Sequence, residues 1–215
     1  MHDDIIFMMD SPILLTTKLL IPRRKPATIP RPRLVRWIES HLDKRLILVS
    51  APPGYGKTTL LAEFAAATTQ PLAWYQLDSA DSDPQVFLSY LTECLKQLHS
   101  QCSKSKQIPF GVATQALLNS AEAALPLSPE RILTVLINEL NEVIEGDWLI
   151  VLEDYHFITN PVVHHLLNYL IENEPPGLHL LISTRSDPPL ALARLRARGM
   201  LAELRTTELR FTEEE

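Results

Sequence analysis

The chain has 215 residues, with 20 basic and 26 acidic side chains and a formal charge of −6. A hydrophobic fraction of 46% with 21% charged residues is ordinary globular composition, which excludes a disordered or collagen-like chain. No apolar run approaches the roughly 20 residues of a membrane span, and the opening MHDDIIFMMDSP lacks the basic flank of an export signal. Two cysteines are too few for a disulfide framework and fit a reducing cytoplasm, and mild acidity argues against bulk nucleic-acid binding.

In chain order, Ser11 to Ile38 carries seven basic residues and no acid, punctuated by Pro22, Pro26, Pro30 and Pro32, and reads as an extended surface strap. A basic arm for DNA or RNA is the alternative, but no aromatic side chain interleaves the bases. Leu34 to Leu42 predicts a short helix. RLILVS, Arg45 to Ser50, is apolar without alternation and predicts a strand buried on both faces. A Gly/Pro loop and a helix from Thr58 to about Ala67 follow, then a strand at Leu72 to Leu77. Asp83-Pro84 caps a helix with Phe87, Leu91, Cys94, Leu95 and Leu98 on one face. Gln101 to Gly111 reads as a polar excursion, and Ser128-Pro129 opens the next helix. WLIVL, Trp148 to Leu152, is a third strand, and Asn160-Pro161 opens a helix to about Glu172. LHLLIST, Leu178 to Thr184, is a fourth strand, and Leu190 to Arg198 a helix stopped by Gly199. Strands alternating with helices, and apolar on both faces, predict a parallel sheet covered on each side.

The chemistry begins in the loop Ala51-Pro52-Pro53-Gly54-Tyr55-Gly56-Lys57-Thr58-Thr59, set between a buried strand and a helix. Glycines let backbone N–H groups turn onto phosphate oxygens, and the helix N-terminus adds its positive dipole end. Lys57 is placed to reach the β and γ phosphates, and the Thr58 hydroxyl to ligate Mg²⁺. The strict pattern has glycine where this chain has Ala51. The third strand runs into Glu153-Asp154; Glu153 is read on the metal side and Asp154 as the base that activates water, with the reverse assignment as the alternative. Arg185, after the fourth strand, is level with a γ-phosphate, or else pairs with Asp187 at the surface. Cys94, His99 and Cys102 are too few for structural zinc. His156, His164 and His165 read as surface residues of a loop and a helix, and Trp74 and Trp148 as core.

These residues resemble the nucleotide-binding domain of STAND ATPases, in particular the MalT-like branch of large LuxR-type transcriptional activators. The blocks carrying the resemblance are LLTTKLLIPR, IPRPRLV, SAPPGYGKTTLL, AWYQLDSADSDPQVFLSYL, LIVLEDYHFITNP and STRSDPPLALARLRARG followed by ELRFT. The resemblance implies an α/β, three-layer P-loop NTPase (AAA+/STAND-like) with a mostly parallel sheet of about five strands. It further implies that Ile29, Pro30, Arg31 and Arg33 flank the adenine, that Pro53, Gly54, Tyr55, Gly56, Lys57, Thr58 and Thr59 hold phosphates, and that Arg185 senses the γ-phosphate. Glu153 stands where the family has aspartate.

The expected function is that of an ATP- or ADP-binding regulatory domain, in which slow Mg²⁺-dependent hydrolysis sets a conformational switch. The alternatives are a stand-alone P-loop ATPase or small-molecule kinase, and a non-hydrolysing nucleotide-bound scaffold. Residues 1–40 are expected to form the lead-in and first helix, 41–211 the NTPase domain, and 212–215 the start of a lid, with Thr212 as cap and Glu215 in the capping-box position. The resemblance assigns self-association to the full-length protein and DNA binding to a C-terminal region beyond these residues.

Overall fold

The computed structural model describes residues 14–23, 28–102, 109–120, 128–213 and 215. The opening segment, the bases Arg24 and Lys25 with Pro26, and most of the polar excursion at 103–108 lie outside the described residues, as does Glu214.

Seven helices and five strands are described: α1 (Pro32–Glu39), β1 (Leu46–Ser50), α2 (Lys57–Ala67), β2 (Leu72–Gln76), α3 (Pro84–Cys102), α4 (Val112–Ser120), α5 (Pro129–Val143), β3 (Trp148–Glu153), α6 (Pro161–Asn173), β4 (Leu178–Thr184), α7 (Leu192–Ala197) and β5 (Leu201–Leu204). The strands form one parallel sheet in the order β2-β3-β4-β1-β5. Alternation along each strand feeds two cores. Ile47, Val49, Trp74, Val151 and Leu181 face α1 and α2, meeting Leu34, Ile38, Leu60 and Phe64. Leu46, Leu48, Tyr75, Ile150, Leu152 and Ile182 face the opposite side, which is covered by apolar residues of α3, α5, α6 and α7. The three-layer α/β class expected from the sequence is therefore the observed one, and Trp74 and Trp148 are core residues.

Local signals explain most element starts. The Asp83 carboxylate accepts from the N–H groups of Gln85 (2.8 Å) and Val86 (3.0 Å) ahead of α3. Asn160 accepts from Val162 N–H at 2.9 Å ahead of α6. Proline opens α1 at Pro32, two residues before the predicted start, because its fixed φ suits a first turn. Two elements have no counterpart in the sequence reading. Helix α4 buries only Thr114 and Leu118, so its apolar periodicity is faint. Strand β5 is four residues, LAEL, added to β1 at the sheet edge.

The lead-in is tied down at two points. Lys18 Nζ contacts both Asp81 oxygens (2.8 and 2.7 Å) and Asp78 (2.9 Å), while Asp81, fully buried, also accepts from the Tyr75 hydroxyl at 2.7 Å. Although burial works against it, Asp81 and Asp78 hold the Lys18 ammonium above its usual range. The second point is Arg31, described below. No helix among the described residues is long and apolar enough to cross a membrane.

Candidate nucleotide site at the sheet edge

Parallel strands end together, and the C-terminal edge of this sheet gathers the predicted residues. Ser50 is in register with Thr184, and Gln76 with Glu153, so the end of β3 lies one strand away from the loop that follows β1. In open α/β sheets this edge is where ligands bind.

The loop from Ala51 to Gly56 is built for close approach. Gly54 and Gly56 have φ of 90° and 72°, and a Cβ placed on either would meet nothing within 4 Å, so the loop's inner surface is open. Gly56 is the N-cap of α2 and no side chain caps that helix, which leaves its first N–H groups available, those of Lys57, Thr58 and Thr59 among them. The helix opens at Lys57, one residue before the predicted Thr58. Lys57 is buried, and its Nζ donates to the carbonyls of Ala51 (2.7 Å) and Pro52 (3.2 Å), folding the ammonium over the loop. Burial lowers its pKa against the pull of Asp154, and Arg185 adds to the decrease.

Alternation turns Glu153 towards the loop helix. Leu149 and Val151 point to the α1–α2 side, and Glu153 follows them two residues on. Its side chain is fully buried and both carboxylate oxygens lack a hydrogen-bond partner. Burial pushes its carboxyl up to about 7, opposed by the nearby Thr58 hydroxyl and the Lys57 ammonium. An orphaned buried carboxylate beside a threonine hydroxyl and a lysine fits a divalent cation, whose remaining positions phosphate oxygens and water can fill. Among the described residues no group of three His, Cys, Asp or Glu side chains forms an all-protein cation cage.

Asp154 occupies the left-handed region (φ 59°, ψ 39°), and no other non-glycine among the described residues has a positive φ. Its N–H donates to Ser183 Oγ at 3.0 Å, fastening the turn to β4. The structure corrects the surface reading of His156, whose side chain is only 13% exposed, with Nδ1 3.7 Å from Asp154 Oδ1. Both its ring nitrogens are buried without a hydrogen bond, and burial, reinforced by Arg185, lowers its pKa. The signal available in the sequence was its position two residues after the acidic pair at a strand end. His164 accepts or donates at the Tyr155 hydroxyl (2.8 Å), and His165 contacts Glu130 on the surface.

Arg185 follows β4 and is exposed. The alternative pairing with Asp187 is not made, since Asp187 binds Arg205. Arg194 and Arg196 pair with Glu172 and Glu203.

Ile29, Pro30, Arg31 and Arg33, expected to flank the adenine, lie at the start of α1. Ile29 is half exposed, and Pro30 is exposed. Arg31, in contrast, is 2% exposed. Its N–H donates to both Glu63 oxygens of α2 (3.0 and 3.1 Å), and its guanidinium donates to the carbonyls of Leu209 (2.8 Å) and Arg210 (3.1 Å). The same group stacks on the Phe211 ring at 4.5 Å. Arg33 reaches the carbonyls of Glu208 and Arg210 and the Glu215 carboxylate. The resemblance implies that both arginines flank the adenine; in the structure their guanidinium groups bond the chain's own segment after β5. Glu215 also accepts from Thr212 N–H at 3.2 Å, one half of the predicted capping box.

A glycine loop between a central parallel strand and a helix, faced by a carboxylate from the next strand but one, defines a P-loop nucleotide-binding fold. The family model described as AAA ATPase domain matches residues 33–183, and the chain belongs to that family. The resemblance drawn from the sequence blocks is borne out: the chain is 38% identical over 209 residues to the HTH-type transcriptional regulator MalT of Serratia proteamaculans and 34% identical over 203 residues to that of Cronobacter sakazakii. Each match covers 94% of this chain and 21% of the relative, so the chain spans about a fifth of the length of these relatives. Among solved structures, the Drosophila ORC bound to AT-rich DNA and Cdc6 superposes with a TM-score of 0.50 at 15% identity, covering 83% of this chain and 55% of that one; this is a likeness of fold.

Proposed function

We propose that the chain is a nucleotide-dependent regulatory ATPase domain, in which bound ATP or ADP and slow hydrolysis set the conformation of a signal-responsive transcriptional regulator. The observation that carries the reading is the orphaned Glu153 carboxylate set beside Thr58, at the mouth of an open glycine loop.

In this reading the N–H groups from Gly54 to Thr59 hold the phosphates, and Lys57 exchanges its two loop carbonyls for β and γ oxygens. Thr58 and Glu153 would hold Mg²⁺, which supplies charge neutralisation of the β and γ phosphates when bound. Asp154, held by Ser183, is aimed as the base that takes a proton from the attacking water, with His156 beside it. Arg185 meets the γ-phosphate charge. Ile29 and Pro30 flank the base. The likeness to HTH-type transcriptional regulators supports a regulatory role in a longer, cytoplasmic protein, where DNA contact and self-association would lie outside these residues.

The test is Asp154→Asn. Nucleotide affinity by calorimetry stays within about twofold, while ATP turnover falls by about 10²-fold or more. Loss of binding with unchanged turnover per bound nucleotide would contradict the assignment.

A further inference from the structure

The turn after β3 is anchored on three sides. Asp154 N–H donates to Ser183 of β4, the Tyr155 hydroxyl meets His164 of α6, and the Phe157 carbonyl accepts from the Ser82 hydroxyl at 3.3 Å. Ser82 in turn accepts from Thr159 N–H at 3.0 Å, so the single turn after β2 and the turn after β3 share one hydroxyl. What this scaffold presents is a phenyl ring. Phe157 is 39% exposed. One neighbour is the His156 ring, centroids 4.4 Å apart and tilted by 33°. Another is Arg185, whose guanidinium carbon lies 5.8 Å from the ring centroid.

We propose that Phe157 is a positioning residue for Arg185, holding the guanidinium by a cation–π contact on a rigid turn so that it faces the γ-phosphate position. The inference rests on the reading that Arg185 senses the γ-phosphate. Arg185 follows β4 on a bend and its chain is long, so an unsupported guanidinium would sample many rotamers before finding the phosphate. An aromatic face restrains it without neutralising it. A carboxylate partner would cancel the charge that the phosphate needs, and the nearest acid in sequence, Asp187, is occupied by Arg205. A surface cation–π contact has a strength that corresponds to about two- to fivefold in an equilibrium constant.

The experiment measures the affinity ratio of a non-hydrolysable ATP analogue to ADP on the same chain, for wild type, Phe157→Ala, Phe157→Leu, Phe157→Tyr, Arg185→Gln and the double variant Phe157→Ala/Arg185→Gln. Leucine keeps apolar bulk without a π face, and tyrosine keeps the face. We expect Ala and Leu to lower the ratio by about two- to fivefold with ADP affinity unchanged, Tyr to restore it, and Phe157→Ala to add nothing in the Arg185→Gln background. A ratio lowered by Arg185→Gln but untouched by Phe157→Ala overturns the proposal and leaves the Arg185 reading intact. An equal loss from Phe157→Ala with and without Arg185 overturns it too, by showing that the ring acts alone. No change on Arg185→Gln removes the reading of Arg185, and this proposal with it.

Discussion

The Arg31 guanidinium donates to the Leu209 carbonyl at 2.8 Å, joining residues 178 positions apart. Through the Arg31 N–H on Glu63, the same residue is fixed to the helix whose N-terminus forms the phosphate loop. The helix of the loop, the lead-in and the segment after β5 are thus joined through one buried residue, by its backbone N–H on one side and its guanidinium on the other.

Arg31→Ala removes the donor group that serves the Leu209 and Arg210 carbonyls and is expected to cost about 1–3 kcal/mol in urea unfolding. Its effect is local as well as global. Amide exchange at Leu209 and Arg210, whose N–H groups bond to Arg205 and Thr207, speeds up, while the amides of Leu48 and Ile182 in the central strands change only with global stability. Equal acceleration at all four positions would show that Arg31 does not hold this segment in particular.

Asp81 is fully buried and serves Lys18, Tyr75 and the N–H of Asp78 at once. Asp81→Asn leaves the Lys18 ammonium with Asp78 as its one carboxylate among the described residues and in competition with the Tyr75 hydroxyl for one amide oxygen, at a loss of about 3 kcal/mol by denaturant titration. Lys18→Met together with Asp81→Asn recovers part of that loss, because the ammonium no longer competes for the amide oxygen. A double variant less stable than Asp81→Asn alone would be the contrary result.

Glu174, 5% exposed, has no hydrogen bond to either oxygen, and Arg45 Nε is 3.9 Å away. Burial pushes its carboxyl from 4.5 up to about 9, with Arg45 opposing. A raised carboxyl means that the unfolded chain releases its proton first. The contribution to stability is therefore fully present below pH 4.5 and is lost as the pH rises towards 9. Glu174→Gln should flatten the decline between pH 5 and pH 8 and stabilise the protein at pH 8 by about 2–4 kcal/mol. Parallel stability curves for variant and wild type across that range would show that Glu174 is ionised in the fold.

Much of this arrangement is legible in the sequence because it is local. β4 occupies Leu178–Thr184, the predicted bounds, since a leucine- and isoleucine-rich run without alternation fits a strand buried between helix layers. The loop residues and Glu153 announce themselves through a strand–loop–helix pattern and a strand-end acid. What escapes is whatever depends on distant partners. Nothing around Arg31 foretells Leu209, and a proline-broken basic stretch looks like a solvated strap until its partners are folded against it. His156 reads as a loop residue because its burial depends on how the turn after β3 folds. α4 and β5 escape for want of contrast, one nearly without an apolar stripe and the other too short to show a period.

The most direct test of nucleotide binding at the glycine loop is calorimetric titration of ATP and ADP, with and without Mg²⁺, into wild type and Lys57→Ala. Among the described residues the Lys57 ammonium bonds to the Ala51 and Pro52 carbonyls alone, so the variant should keep its fold, as circular dichroism can verify. We predict saturable binding by wild type, strengthened for ATP by Mg²⁺, and a loss of about 100-fold or more in Lys57→Ala. Equal affinities for wild type and variant, or no binding by wild type, would contradict the assignment.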